Sequence, residues 1–280
     1  MSTIDPRVAR AQKAERGRRS GRSAAAAVVV GLLHLGLWTV AGYGFGELYD
    51  VPRLMSINQV GEGWDSRFDG IPVLFIVGIF AGSVLGFVFM GLAGRLLGLA
   101  GSVLAPLVTG SFGIALGLLL FQPQWTAPQS YGELSGFLPG DPATPWDTGA
   151  WIAYHLPVWL PLLFAALGAL LLAVLLLAVS AARRKAKRMA EVIDTGRRVK
   201  GAVSEVRPTG TEINGMPYLE FTVAFRDHLG TERWVTKKFA FPPGQLPRAG
   251  DPALVWFVPA EVDDQKSIVV GLGPEAAEAV

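Results

Sequence analysis

Ile71 to Phe121 reads IPVLFIVGIFAGSVLGFVFMGLAGRLLGLAGSVLAPLVTGSFGIALGLLLF, 51 residues interrupted by a single charge, Arg95. A helix crosses about 30 Å of hydrocarbon with about 20 apolar residues at 1.5 Å each. As one straight helix the stretch would extend about 76 Å, more than twice that thickness. It must therefore fold back. Gly94-Arg95-Leu96-Leu97-Gly98 is the natural turn, which predicts two spans, 71–93 and 98–121.

Two further runs flank this hairpin. Residues 24–45 carry no charge and one ionisable side chain, His34, and residues 159–182 end at Arg183-Arg184-Lys185-Ala186-Lys187-Arg188. The first run exceeds the apolar region of about 7–15 residues in a signal peptide, and no small-x-small cleavage site follows it, so it reads as an uncleaved anchor. Four transmembrane helices are expected, with loops at 46–70 and 122–158. The composition agrees: of 280 residues, 51% are hydrophobic and 17% charged, against about a quarter charged in soluble domains. The chain has no cysteine and three histidines. That removes disulfides, iron–sulfur clusters, thiolate zinc sites and cysteine nucleophiles.

Lysine and arginine accumulate on the cytoplasmic side of membrane proteins. The tail 1–23 holds seven, Arg95 sits at the hairpin turn and five follow the fourth run, against Arg53 and Arg67 in the other two loops. Both termini are expected in the cytoplasm, in a multi-pass protein of the cell (inner or plasma) membrane. The pI of about 9.0 reflects these helix-end clusters, which attract anionic lipid head groups. A nucleic-acid surface would spread its cations over a folded face between aromatic residues, so no nucleic acid is expected among the partners. The opposite loops carry eight acids: Glu47, Asp50, Glu62, Asp65, Asp69, Glu133, Asp141 and Asp147. Trp64, Trp125, Tyr131, Phe137 and Trp146, with Trp151 and Trp159 beyond them, form an interfacial aromatic belt. A cation site from Asp65, Asp69 and Asp141 lacks calcium-loop spacing.

Inside the runs, small residues recur every four positions: Gly78, Gly82 and Gly86 in the second span, Gly113 and Gly117 in the third. Such stripes let helix backbones approach closely. Packing within the hairpin is the expectation, and homo-oligomerisation through the same stripe is the alternative. Pro106 predicts a kink in the third span, with Thr109 and Ser111 close enough to re-satisfy freed backbone groups. Pro72 and Pro161 fall in first turns, where the missing N–H costs little. His34 is either a proton-handling group or a neutral residue bonded to a neighbouring helix; the second is expected. His155 lies at the wet outer boundary. No other ionisable residue lies at the centre of a span, unlike the ion and proton pathways of transporters.

Beyond Arg188 the apolar period changes. A basic helical linker, 183–197, is expected to stop at Gly196 in a left-handed cap. In Tyr218–Arg226, Leu219, Phe221, Val223 and Phe225 alternate with polar residues, the two-residue period of a half-buried strand. Further strands are predicted over 199–207, 232–241, 253–258 and 267–270. Asn214-Gly215 supplies a type I′ hairpin turn and Asp227-His228-Leu229-Gly230 the next. Five short strands suit a small all-β barrel of the OB or SH3-like kind over 198–271, with an acidic tail at 272–280. The fold class is thus membrane α-helical with a C-terminal small β-barrel domain. His228, Asp263-Asp264 and Gly271-Leu272-Gly273 have no catalytic partners or phosphate-loop context, so no catalytic residue, cofactor or metal site is expected.

The stretch GAVSEVRPTGTEINGMPYLEFTVAF, with Thr209-Gly210, Ile213-Asn214-Gly215 and Pro217, then Leu246-Pro247, Gly250 and the VWFVP strand, resembles a domain-of-unknown-function family of bacterial membrane proteins. The likeness spans Gly196 to Val270. The family shows a Tyr-Asp-Pro and a second Asp-Pro where this chain has Phe257-Val258-Pro259 and Glu261-Val262. The resemblance implies a small cytoplasmic β-module joined to membrane spans, and no catalytic residues. NfeD-like membrane-anchored OB domains are a looser architectural analogy.

These readings lead to a non-enzymatic membrane anchor or adaptor that presents a cytoplasmic β-domain to a protein partner. The alternative is a channel or transporter subunit in which the Gly-rich hairpin, Pro106 and His34 line a path. A membrane enzyme acting on lipid or cell-wall precursors would need an acid–base set that the outer loops do not supply.

Overall fold

A computed structural model describes residues 20–58, 71–134, 142–213 and 215–272. The chain divides into a helical unit, Gly21–Ser180, and a unit from Ala181 onward that holds the β-sheet. Among the described residues four helices are long and apolar enough to cross a membrane: α1 Ser20–Asn58, α2 Val73–Leu97, α3 Leu99–Phe121 and, after the short helix α4 Thr148–Tyr154, α5 Leu156–Thr195. Between α3 and α4, Glu133–Leu134 (β1) and Thr144–Pro145 (β2) form a two-residue antiparallel ladder.

The hairpin turn is tighter than its sequence suggests. Residues 94–97 remain helical, and Gly98 alone separates α2 from α3. Its φ is +78°, open to glycine at no steric cost. Gly98 N–H donates to the Gly94 carbonyl at 2.9 Å, and Ser102 N–H donates back to the Gly98 carbonyl at 3.1 Å. At one end of the bundle all four long helices share a cluster: Phe89 and Ala93 of α2, Ala105 of α3 and Leu175 of α5, with Val30 of α1 packed against it.

Two boundaries differ from expectation. α1 does not stop at residue 45 but runs to Asn58 through Pro52, so much of the anticipated loop 46–70 is helix. The reason is burial: Leu54 and Ile57 pack with Trp146 and Ala150 of the segment before α5. α5 begins at Leu156, which puts Pro161 inside the helix instead of in its first turn. Pro106 likewise sits within α3, where the Thr109 hydroxyl donates to the Ala105 and Pro106 carbonyls at 3.1 Å each.

The sheet contains β3 Arg197–Ile213, β4 Met216–Arg226, β5 Glu232–Ala240, β6 Pro252–Phe257 and β7 Val269–Leu272, antiparallel throughout in the order β5-β4-β3-β6-β7. The long β3 serves two partners. Its first residues pair with β6, and from Gly201 onward it pairs with β4, with register shifts at Val203/Glu205 and Pro208/Thr211. Extra residues of this kind bend a strand and strengthen its twist. The sheet curls into a half-barrel around Val203, Phe221, Val223, Phe225, Val235 and Val255. Gly215 closes the β3–β4 turn with φ +72°; Asn214 lies outside the described residues.

β6 is buried on both faces. Ala253, Val255 and Phe257 point into the curl, while Leu254 and Trp256 pack with Val192 and Ile193 at the end of α5. The last helical turns are therefore part of this unit's core. Gly196 does not adopt a left-handed cap, since it is not among the positive-φ glycines. Its N–H donates to the Val192 carbonyl at 2.9 Å, and a side chain there would collide with the carbonyls of Val192 and Phe257.

Candidate functional site

The glycine stripes converge on α1 and not on each other. A Cβ at Gly78 would lie 2.6 Å from the Ala41 Cα, one at Gly82 3.1 Å from the Trp38 indole nitrogen and one at Gly86 3.1 Å from His34 Nε2. From α3, a Cβ at Gly113 would lie 2.7 Å from the Leu35 carbonyl oxygen and one at Gly117 2.5 Å from the Tyr43 nitrogen. Both stripes thus open one groove, and α1 lies in it with its own small residue Gly42 against Ile114. The four-residue spacing identifies which face is small; the neighbour follows from the fold.

His34 lies in this seam, 3% exposed. Trp38 Nε1–H donates to His34 Nε2 at 3.0 Å, and His34 Nδ1 is 2.8 Å from the Thr109 hydroxyl. An indole nitrogen only donates, so Nε2 is the acceptor and Nδ1 carries the proton. Thr109 accepts that proton and passes its own to the carbonyls beside Pro106. Both ring nitrogens of His34 are thus engaged, and a second proton on Nε2 would face the indole N–H. This arrangement ties α1 to α3.

A second polar knot lies where loops were expected. Arg53 Nη1 is 3.3 Å from Asp50 Oδ1, with side chains 4% and 0% exposed. The same Nη1 donates to the Thr126 carbonyl at 2.9 Å, and Thr126 donates to Asp50 through its N–H at 3.1 Å and its hydroxyl at 2.6 Å. The guanidinium lies 5.2 Å from the centroid of the Trp125 ring. Tyr131 packs edge to face with Trp146, Trp151 and Tyr154, and Trp146 with Trp151. His155 is exposed and stacks on Trp151. Asp50 and Arg53 are three residues apart and continue the helical spacing into Leu54 and Ile57, but that spacing alone does not distinguish a buried pair from loop charges. Glu62, Asp65, Asp69 and Asp141 lie outside the described residues. Among the described residues no group of three metal-ligating side chains assembles.

In the β-unit, Asp227 fixes the β4–β5 turn. Its carboxylate accepts from Leu229 N–H at 2.8 Å, Thr231 N–H at 3.0 Å and Arg233 Nε at 2.7 Å. The Arg233 hydrogen bond, helped by the two backbone donors, holds this carboxyl below the usual range. Arg233 also pairs with Asp263. His228 stands beside the Phe257 ring, its Nδ1 buried without a partner among the described residues. β5 is an edge strand among the described residues, and the backbone groups on its outer side have no ladder partner there. Trp234, on the face turned away from the curl, is 55% exposed. Compared with family models, curated proteins and solved structures, the chain matches none.

Proposed function

We propose that this chain is a non-enzymatic membrane adaptor. Four spans hold it in the cell membrane with both termini cytoplasmic, and the β-unit takes a protein partner along β5. Membrane insertion is supported by large apolar side chains that face away from the bundle: Phe80, Phe87 and Leu177 are each more than 70% exposed. Water would penalise such a surface and lipid would cover it. The basic flanks supply the orientation. Because β3 is shared between β4 and β6, we read the half-barrel as an open roll of the OB kind, whose relatives in architecture bind many ligand types.

The observation that carries the adaptor reading is the β5 edge with its exposed Trp234. An unpaired edge is a template for an added strand, and aromatic anchors concentrate interface energy. The test is co-purification of full-length protein in mild detergent beside Trp234→Ala and a form truncated after Arg188. A protein held by the parent and lost from both variants is the expected result. The same set bound by all three forms would move the working part to the helical unit.

A further inference from the structure

A cleft of about 750 Å3 opens within the β-unit, between the Arg184–Val192 face of α5 and the strands. Six cations line it: Arg184, Lys185, Arg188, Lys237, Lys238 and Lys266, above a wall that includes Met189, Val192 and Phe239. Arg188 is engaged by Glu261 at 3.0 Å and Asp264 at 3.9 Å, and Lys238 by Glu220 at 2.8 Å. Lys237 Nζ donates to the neutral Gln265 carbonyl at 2.6 Å. Arg184, Lys185 and Lys266 form no ion pair among the described residues. The sequence hides this cluster, because its members come from a helix, a strand and a turn spread over more than 80 positions.

We propose that this cleft binds a phosphate-bearing anion with an apolar portion, the phosphate among Lys185, Lys237 and Lys266. Ammonium groups offer three donors each and suit phosphate as point charges. Burial and repulsion from Lys185 push the Lys237 ammonium down, against a weaker pull from Asp264; an anion seated between the two would relieve that repulsion. The volume exceeds what inorganic phosphate fills and lies within the about 300–1,000 Å3 of small-molecule pockets. The phosphate could belong to a lipid head group, since Arg184 and Lys185 follow directly on the apolar run, or to a soluble compound. Only the lipid source rests on the membrane placement proposed above.

The experiment measures acetylation rates of individual lysines by mass spectrometry in the full-length protein. One arm compares phosphatidylcholine nanodiscs with and without phosphatidylglycerol; the other adds pyrophosphate to phosphatidylcholine nanodiscs. Lys187, outside the cleft lining, and Lys200 on β3 are internal controls. Lys185, Lys237 and Lys266 should react about tenfold more slowly once the probe stands about tenfold above its Kd, with Lys187 and Lys200 little changed. Protection by phosphatidylglycerol identifies a lipid source, and protection by pyrophosphate a soluble one. Lys237→Gln should raise the probe concentration needed to protect Lys185 and Lys266 by about tenfold. Unchanged rates in both arms, or slowing shared equally by Lys187 and Lys200, would overturn the proposal.

Discussion

Replacing Gly117 by alanine adds one methyl group where the α1–α3 seam has no room for it. The new Cβ would lie 2.5 Å from the Tyr43 nitrogen and 2.7 Å from the Gly42 carbonyl carbon, and nearer still to the Thr39 carbonyl oxygen. Carbon atoms in ordinary contact stay about 3.5–4.0 Å apart, so the seam must open by about 1 Å. All three obstacles are backbone atoms, which no rotamer change can move. Overpacking of this kind costs about 1–3 kcal/mol. Opening the seam also stretches the 2.8 Å His34–Thr109 contact, and such interhelical bonds are worth about 0.6 kcal/mol. Gly91→Ala is the matched control, because a Cβ there meets nothing within 4 Å and alanine gains about 0.5–1 kcal/mol of helix preference. Unfolding by SDS titration of the full chain, followed by far-UV circular dichroism, reads the difference. Gly117→Ala should unfold at a clearly lower SDS fraction than the parent, and Gly91→Ala at the same or a higher one. Equal midpoints for the two variants would refute the packing argument.

Arg53→Ala removes the guanidinium beside the buried Asp50 carboxylate, which keeps its Thr126 donors, and should cost about 3 kcal/mol, seen as new protease cleavage between 122 and 155. The pair Asp50→Asn/Arg53→Met should lose less than its single changes combined. Trp256→Ala should cost about 3–5 kcal/mol by emptying the space between the α5 end and β6. Trp256→Phe should cost less, because the indole N–H it removes has no partner among the described residues; hydrogen exchange across β6 and β7 distinguishes them. The depressed Asp227 carboxyl contributes stability that is full above the unfolded-state value near 3.9 and is lost as pH falls through the lower folded value. Between pH 6 and 3, intrinsic-rate-corrected exchange at β4–β5 should rise in the parent, and Asp227→Asn should lack that component. His34→Ala should lower the SDS midpoint by removing the α1–α3 bond, with no change in ion flux across reconstituted vesicles; a changed flux would favour the channel reading.

The long helices and the alternating strand β4 were legible because each advertises its environment through period. Continuous apolar runs mark the helices, and the alternation in Tyr218–Arg226 marks a strand with one buried face. The helix extension to Asn58 was not legible, since Asp50 and Arg53 read as loop charges until Thr126, 73 residues beyond Arg53, meets them. Glycine spacing located the small faces of α2 and α3 but could not name α1 as their common neighbour. The left-handed cap expected at Gly196 failed for a related reason. What demands glycine there is the approach of the Phe257 carbonyl from β6, a tertiary contact with no local signature. The cationic cleft was hidden in the same way, since Lys237 and Lys266 stand 29 positions apart and only the fold brings them to one cleft.

The adaptor claim turns on what touches β5 inside the cell. Replacing Trp234 by benzoylphenylalanine, with Ser204 on β3 as the control position, lets ultraviolet light capture a neighbour in living cells before any extraction. The account predicts one discrete protein adduct from position 234 and none from 204. Absence of any adduct from 234, or the same adducts from both positions, would contradict it.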